Sequence, residues 1–384
     1  MKKMIQILIC CSLSISFISA FNIHSAKAAS SYTVVINDIN PIDNPVFLEG
    51  LNYIPLKSSL AILGYHVEWI QSDRSLKIYS PDQTVVINMN SKKININGKL
   101  SAEYKNEIIN MDGHSLITAR YLAKIMKCSL IVEGGIINIK SKNQFILGES
   151  PHITYWLSNN GSLFSLNKDM DEAPKLTGKI NLTLSDEGYS KMTINSISNP
   201  NSFVVTATKF SGEPLIFTRS VKIFVKDNKI VESVVFGNEE TIETSKLGDL
   251  WVFNDGQVIK YLNDHGEIIK TIKINEIIAK DSYSIDGFDG DHIVILRSET
   301  KKNLWVIDTS TNRSFLLYKK LLSKEEQASI ERNADITDMH YGDNLHLKSK
   351  NGNVLSFNYF SYLQGAKDIT LMVDIKDIEK YFLD

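Results

Sequence analysis

Residues 49–69 and 112–132 of this 384-residue chain align without a gap at a constant offset of 63. Such a repeat is one supersecondary unit built twice, and any fold of the chain has to accommodate both copies. Glu49-Gly50 aligns with Asp112-Gly113, Ile54 with Ile117, Lys57 with Arg120, Leu60 with Ala123 and Val67 with Leu130. Each acidic-Gly pair is a turn signal followed by a short apolar strand. Pro55 stands where a helix begins, Leu56, Leu60 and Leu63 recur at helical spacing, and Gly64 supplies the stop. Each copy ends in a hairpin, whose second strand is Leu76–Tyr79 in one and Ile136–Ile139 in the other. There the offset falls to 61, as a hairpin loop two residues shorter gives. Each unit therefore reads strand–helix–strand–strand, with a helix too short to stand alone. Thr118 and Lys127 replace Pro55 and Gly64, so the second helix is expected to be less sharply punctuated.

These residues resemble the copper amine oxidase N-terminal-like domain, also called the stalk domain. Its usual pattern is a duplicated unit with an acidic-Gly turn, V-P-L-R, a short helix ending in L-G, then V-x-W. Gly50, Ile54-Pro55-Leu56-Lys57, Leu63-Gly64 and Val67-Glu68-Trp69 match it, and the second copy keeps Asp112-Gly113 and Arg120. The resemblance covers roughly residues 30–142. It implies a small α+β module without catalytic residues, of the kind appended to many secreted bacterial proteins, with Trp69 in its core. It does not imply amine oxidase activity. That chemistry belongs to a separate domain with an Asn-Tyr-Asp/Glu motif and a His-x-His copper pair. Here Asn358-Tyr359-Phe360 lacks the acid, and no His-x-His occurs.

Residues 143–384 alternate short apolar strands with Gly, Asn and Asp turns. Leu250–Phe253, Val258–Leu262 and Ile268–Ile272 form a meander around Asn254-Asp255-Gly256 and Asp264-His265-Gly266. Hairpins are expected at 153–166, 203–225, 293–307 and 345–357. Marking each by Tyr155, Val205, Val252, Val294 and Leu345 gives steps of 50, 47, 42 and 51 residues. Recurrence at this spacing points to an all-β domain with four strands per unit, best read as a five-bladed β-propeller; a β-sandwich is the competitor. Residues 283–320 read as the fullest blade, with a last strand at Phe315–Tyr318. Tyr155–Leu166 resembles one blade of extracellular propellers. Ser323-x-x-Glu326 is a capping box opening a charged helix, and the tail 374–384 reads as a closing strand or a helix packed alongside.

Residues 1–28 read as an export signal: Met1-Lys2-Lys3, an uncharged apolar stretch from Ile5 to Ala20, and an Ala26-Lys27-Ala28 cleavage pattern. Removing them takes Lys2, Lys3 and Lys27 and no acid, moving the formal net charge from −2 to −5. Cys10 and Cys11 leave with them, so Cys128 remains as a lone thiol without a disulfide partner. The balance of 42 Lys+Arg against 44 Asp+Glu excludes a nucleic-acid binder that works by bulk basic charge. A 43% hydrophobic composition excludes a disordered chain.

Candidate chemistry is sparse. Asp286, Asp289 and Asp291 place three carboxylates in six residues, as an oxygen-rich calcium loop does, though EF-hand spacing is missing and Asp-Gly pairs are ordinary turns. His340 and His346 flank a Gly342-Asp343-Asn344 turn and could face each other across a hairpin, without a third ligand. No G-x-S-x-G, His-Glu-x-x-His or Gly-rich phosphate loop is present. Cys128 fits a small buried thiol better than a reactive one. Trp156, Trp251 and Trp305 fall in apolar strands of separate units and read as packing residues rather than sugar platforms. No catalytic residue and no cofactor is assigned.

The expectation is a secreted, envelope-associated binding or scaffold protein that recognises its ligand, an extracellular protein or a cell-wall polysaccharide, through the propeller surface. The alternative is an extracellular polysaccharide or peptide hydrolase or lyase with its site in the propeller channel. Domain boundaries are expected at 28/29 and 142/143, with no membrane span in the mature chain.

Overall fold

The computed structural model describes residues 32–40, 45–170, 172–184, 188–199, 201–212, 217–237, 246–333, 342–361, 363 and 367–383. Residues 1–28, with Cys10 and Cys11, and His340 lie outside them. The chain divides into two compact units, one of residues up to Ser59 with Asn106–Ser141, the other of Leu60–Lys105 with Lys142–Asp384.

In the first unit the two copies meet. Strands run in the order Val46–Leu48, Leu51–Pro55, His114–Thr118, Ile108–Met111, and the middle pair is antiparallel with Ile54 opposite Ile117. Those two residues are repeat equivalents, so the duplication folds about a local two-fold axis between them. Two-residue turns close the outer hairpins: Glu49-Gly50 at φ +50° and +80°, Asp112-Gly113 at φ +50° and +79°. These are the left-handed pairs that tight hairpins demand. The helix Ala119–Met126 turns Tyr121, Leu122, Ile125 and Met126 inward. It is more sharply punctuated than expected. The Thr118 side chain accepts from Tyr121 N, and Lys127 takes the left-handed C-cap at φ +55°. A hydroxyl replaces the proline and a lysine takes the glycine's conformation. The second copy's hairpin, Ser129–Glu133 and Ile136–Lys140, has the shorter loop, Gly134-Gly135, and is extended by Thr33–Ile36 parallel to Ile136–Lys140.

In the second unit, the first copy's hairpin grows into a five-stranded antiparallel meander: His66–Ile70, Ser75–Tyr79, Thr84–Asn88, Lys93–Ile96, Lys99–Glu103. Ile78, Val85, Ile87 and Ile94 are buried on one of its faces. Trp69 departs from its expected core position. It lies on the outer strand His66–Ile70, is 44% exposed, and donates its Nε1 hydrogen to Gln71 Oε1 at 2.6 Å. An edge strand has no neighbour to cover that ring on its open side.

Five sequence-local antiparallel sheets follow. Sheet I holds Phe145–Glu149, Ile153–Ser158, Ser162–Asn167 and Lys175–Lys179; sheet II holds Tyr189–Ser196, Ser202–Ser211, Phe217–Lys226 and Lys229–Phe236. Sheet III holds Lys246–Leu247, Leu250–Asn254, Val258–Leu262 and Ile268–Lys273; sheet IV holds Tyr283–Asp289, Ile293–Ser298, Leu304–Asp308 and Arg313–Leu316. Sheet V holds Leu345–Asn351, Val354–Ser361 and Lys367–Asp374. Tyr155, Val205, Val252 and Val294, the residues that marked the repeat spacing, all lie in the second strand of their sheets.

Each sheet packs on the next. Tyr155 and Leu157 of sheet I meet Val205 and Ile223 of sheet II; Val204 and Phe224, on the opposite face of sheet II, meet Trp251 and Phe253 of sheet III. Val252 and Ile259 then meet Val294 and Ile307 of sheet IV, and Ile295 and Val306 meet Leu345 and Phe357 of sheet V. Successive residues thus point into different interfaces, which explains the continuous apolar runs. This is the blade arrangement of a propeller. In a two-sheet sandwich each sheet has one buried face.

Two details of sheets IV and V differ from expectation or refine it. The last strand of sheet IV ends at Leu316, and Leu317–Leu321 is helical where a strand through Tyr318 was expected. Leu317 and Tyr318 are adjacent and both buried against the same cluster, which a helix face permits and a strand's alternation does not. The tail takes the helical alternative, Ile375–Tyr381, with Tyr381 and Phe382 edge-on to Phe315. Among the described residues no helix is long and apolar enough to cross a membrane.

Candidate functional site

The carboxylates singled out in the sequence are not brought together. Asp286 accepts from Arg297 Nη2 at 2.7 Å, Asp289 pairs with Lys350, and Asp291 stands 97% exposed with His292 Nδ1 at 3.1 Å. Two of the three charges are thus met by cations on neighbouring strands. Among the described residues no group of three His, Cys, Asp or Glu side chains could hold a metal ion. His346 lies in sheet V, its pKa lowered by desolvation and then by the Arg297 charge. Burial pushes the Cys128 thiol up to about 11, so it is protonated and unreactive at neutral pH. Trp156 is fully buried, Trp251 is 6% exposed and Trp305 packs against the sheet III–IV core. Tyr359 is a core residue whose hydroxyl donates to Glu326 Oε2 at 2.5 Å. Burial and this bond raise its pKa.

Arg297 forms the hub of a joint between sheets IV and V. Besides Asp286 it donates to the carbonyls of Lys302 and Leu345, at 2.9 and 2.5 Å, and lies 3.7 Å from Asp343 Oδ1. Asp343 has no solvent exposure; its carboxylate accepts from Leu304 N at 2.7 Å and Leu345 N at 3.1 Å. Burial pushes its pKa up to about 6, against the lowering pull of those bonds and of Arg297.

A cleft of about 700 Å³ opens among the strand ends of sheets II, III and IV. That volume suits a drug-sized or short oligomeric ligand. Exposed Arg219 enters from sheet II, the Asn254-Asp255-Gly256 turn from sheet III, and Ser282, Ser284 and Glu299 from sheet IV. Asn254 is the keystone. Its Nδ2 donates to Tyr283 O at 2.8 Å, its Oδ1 accepts from Gly256 N at 3.0 Å, and it therefore ties sheets III and IV together at the cleft floor. Three of the four charged side chains lining it are already engaged: Lys209 Nζ donates to Gly188 O, Asp255 accepts from Gln257 N and Val258 N, and Glu299 pairs with Lys302 at 3.0 Å, whereas Arg219 stands exposed. Among the described residues no histidine or cysteine lines the cleft. Sequence reasoning missed it because its residues come from three units, and only Asn254-Asp255-Gly256 carried a local signal.

Comparison with known proteins bears on the first part of the chain. Residues 34–139 match the copper amine oxidase N-terminal domain. The match confirms the resemblance carried by the duplicated motif and covers less than a third of the chain. No curated protein matches. Among solved structures, the computationally designed Ika8 protein is similar at 9% identity over 90% of this chain and 84% of its own, with TM-score 0.26. The WD40 domain of SCAP from fission yeast is similar at 12% identity over 81% and 62%, with TM-score 0.22. BamB from Moraxella catarrhalis is similar at 14% identity over 61% and 76%, with TM-score 0.19. Likenesses so remote add nothing to the propeller-type topology described above.

Proposed function

We propose that this chain is a non-catalytic binding or scaffold protein of the bacterial cell envelope, exported and freed of residues 1–28, whose five sheets act as propeller blades. The cleft among sheets II, III and IV is its recognition surface. The observation that carries this reading is the cleft's chemistry. Among the described residues, hydroxyls, a turn backbone, the exposed Arg219 and three charges held by protein partners offer contacts, but no base is set beside a nucleophile. The hydrolase or lyase alternative requires carboxylates and histidines converging on a substrate. Among the described residues the cleft offers, of those, Asp255, turned to its own loop's N–H groups, and Glu299, paired with Lys302.

The test uses the chain from Ala29 to Asp384, whose melting temperature is followed against a panel of peptides and glycans. A stabilising ligand is expected to lose its effect in Ser284→Trp, which fills the cleft. Release of shortened products from any panel member, lost in Glu299→Gln, would instead establish the enzyme reading.

A further inference from the structure

We propose that a second, shallower pocket beside sheet I binds one ring of a neutral saccharide. The pocket has a volume of about 290 Å³, close to the lower end for small-molecule sites and suited to a single pyranose. Its wall is assembled from separate stretches of the second unit. Asp82 comes from the loop after Ser75–Tyr79, Asn143, Gln144 and Phe145 from the approach to sheet I and its first strand, and Asn160 and Phe164 from the hairpin that joins that sheet's second and third strands.

The two aromatic rings supply the apolar surface. Phe145 and Phe164 meet edge-to-face, with centroids 6.1 Å apart and planes at 89°. Both are half-buried, backed by the buried Trp156 and Tyr79, so they are held in place before any ligand arrives. A fixed ring face suits the C–H side of a pyranose, which is the only apolar surface such a ligand has. Among the described residues no Ala, Val, Leu or Ile side chain lines the pocket, so a wholly apolar ligand finds little to cover it.

The rim supplies the polar match. Asn143 Nδ2 donates to Asp82 Oδ2 at 2.8 Å, which holds two planar groups side by side. Each planar group carries two polar atoms, so the pair presents neighbouring donor and acceptor sites of the kind that vicinal hydroxyls fill. Asn160 Oδ1 accepts from Ser158 Oγ at 2.6 Å and from Ser162 Oγ at 3.0 Å, which fixes its side chain and leaves the amide nitrogen as the donor on its other side. One acid and one lysine, Asp82 and Lys142, balance in charge, which favours a neutral ligand over an acidic one.

Titration calorimetry of residues 29–384 against cellohexaose, hexa-N-acetylchitohexaose and hexagalacturonate tests this. At least one neutral hexamer is expected to bind with a Kd of about 1 mM or tighter. Phe164→Leu, which keeps apolar volume but removes the ring, and Asp82→Asn, at an exposed site, are each expected to weaken binding at least tenfold. Their melting temperatures should stay near the parent's, Asp82→Asn guarding against a folding defect in the other. The proposal is overturned if neither neutral hexamer binds at about 10 mM, or if binding survives both substitutions. Binding of hexagalacturonate alone, lost on adding salt, overturns it too by making recognition a matter of charge.

Discussion

Asp343 is the residue whose environment makes the clearest demand on pH. Its folded-state pKa of about 6 lies above the ordinary aspartate value, because a carboxylate without solvent exposure is costly to ionise even with two backbone N–H groups and Arg297 nearby. Between the two values the native state holds a proton that the unfolded chain has released. The group's contribution to stability therefore falls as pH rises from about 4 to about 6 and is level on either side, a loss on the order of 2–3 kcal/mol. Asp343→Asn removes that fall. It also turns an N–H towards one of the two backbone donors, at a cost of about 1–3 kcal/mol. Urea unfolding at pH 4 and pH 7 should show the variant destabilised at both, with a smaller loss than the parent between them. An equal pH dependence in the two proteins contradicts the assignment. At this scale the sequence was a poor guide. Asp343 read as one member of a turn, because its Arg297 partner lies on another sheet, while Trp69 read as core because its exposure depends on strand order rather than on its neighbours in the chain.

Elements were more legible, since each is set by residues a few positions apart. The constant offset identified both strand–helix–strand–strand units and the shorter second hairpin loop, and the turn residues located all the expected hairpins. What escaped was chemistry that achieves the same end by other means, as at the two helix ends. Gly64 has φ +83°, its carbonyl accepts from Trp156 Nε1 at 2.8 Å, and an added Cβ would stand 3.1 Å from Phe145 O. Gly64→Ala should therefore destabilise the chain by about 1–3 kcal/mol, from left-handed strain plus the close approach. Its repeat equivalent Lys127 holds a left-handed φ of +55° with an exposed side chain. Lys127→Gly should stabilise by about 0.5–1 kcal/mol through the same preference. Opposite signs at equivalent positions, read from chemical denaturation midpoints, check the argument. Destabilisation by both substitutions would show that Lys127 contributes contacts that outweigh its backbone cost.

Across the whole chain, the repeat spacing revealed a series of sheets, and alternate burial explains why they stack in sequence order. That residues 60–105 belong with the later sheets was not visible, because it depends on which face of the first copy's hairpin finds a partner. His66 Nδ1 meets Glu149 Oε1 at 2.7 Å, Tyr79 packs with Trp156, and Trp156 donates to Gly64 O, so the meander of residues 66–103 and sheet I share one interface. The His66 hydrogen bond lowers the Glu149 pKa, against the opposing effect of its partial burial. A chain beginning at Asn143 bares the Phe145, Trp156 and Phe164 face of sheet I. That piece should melt well below the chain from Ala29, bind a hydrophobic dye, and show Trp emission shifted to the red as Trp156 becomes wet. Trp156→Phe in the longer chain keeps an aromatic ring at this fully buried position but shortens it and removes the indole donor, so it should cost about 2–3 kcal/mol and leave dye binding low. Equal melting temperatures for the short and long chains would mean that sheet I needs no cover and that the meander adds nothing to the stability of the sheets that follow.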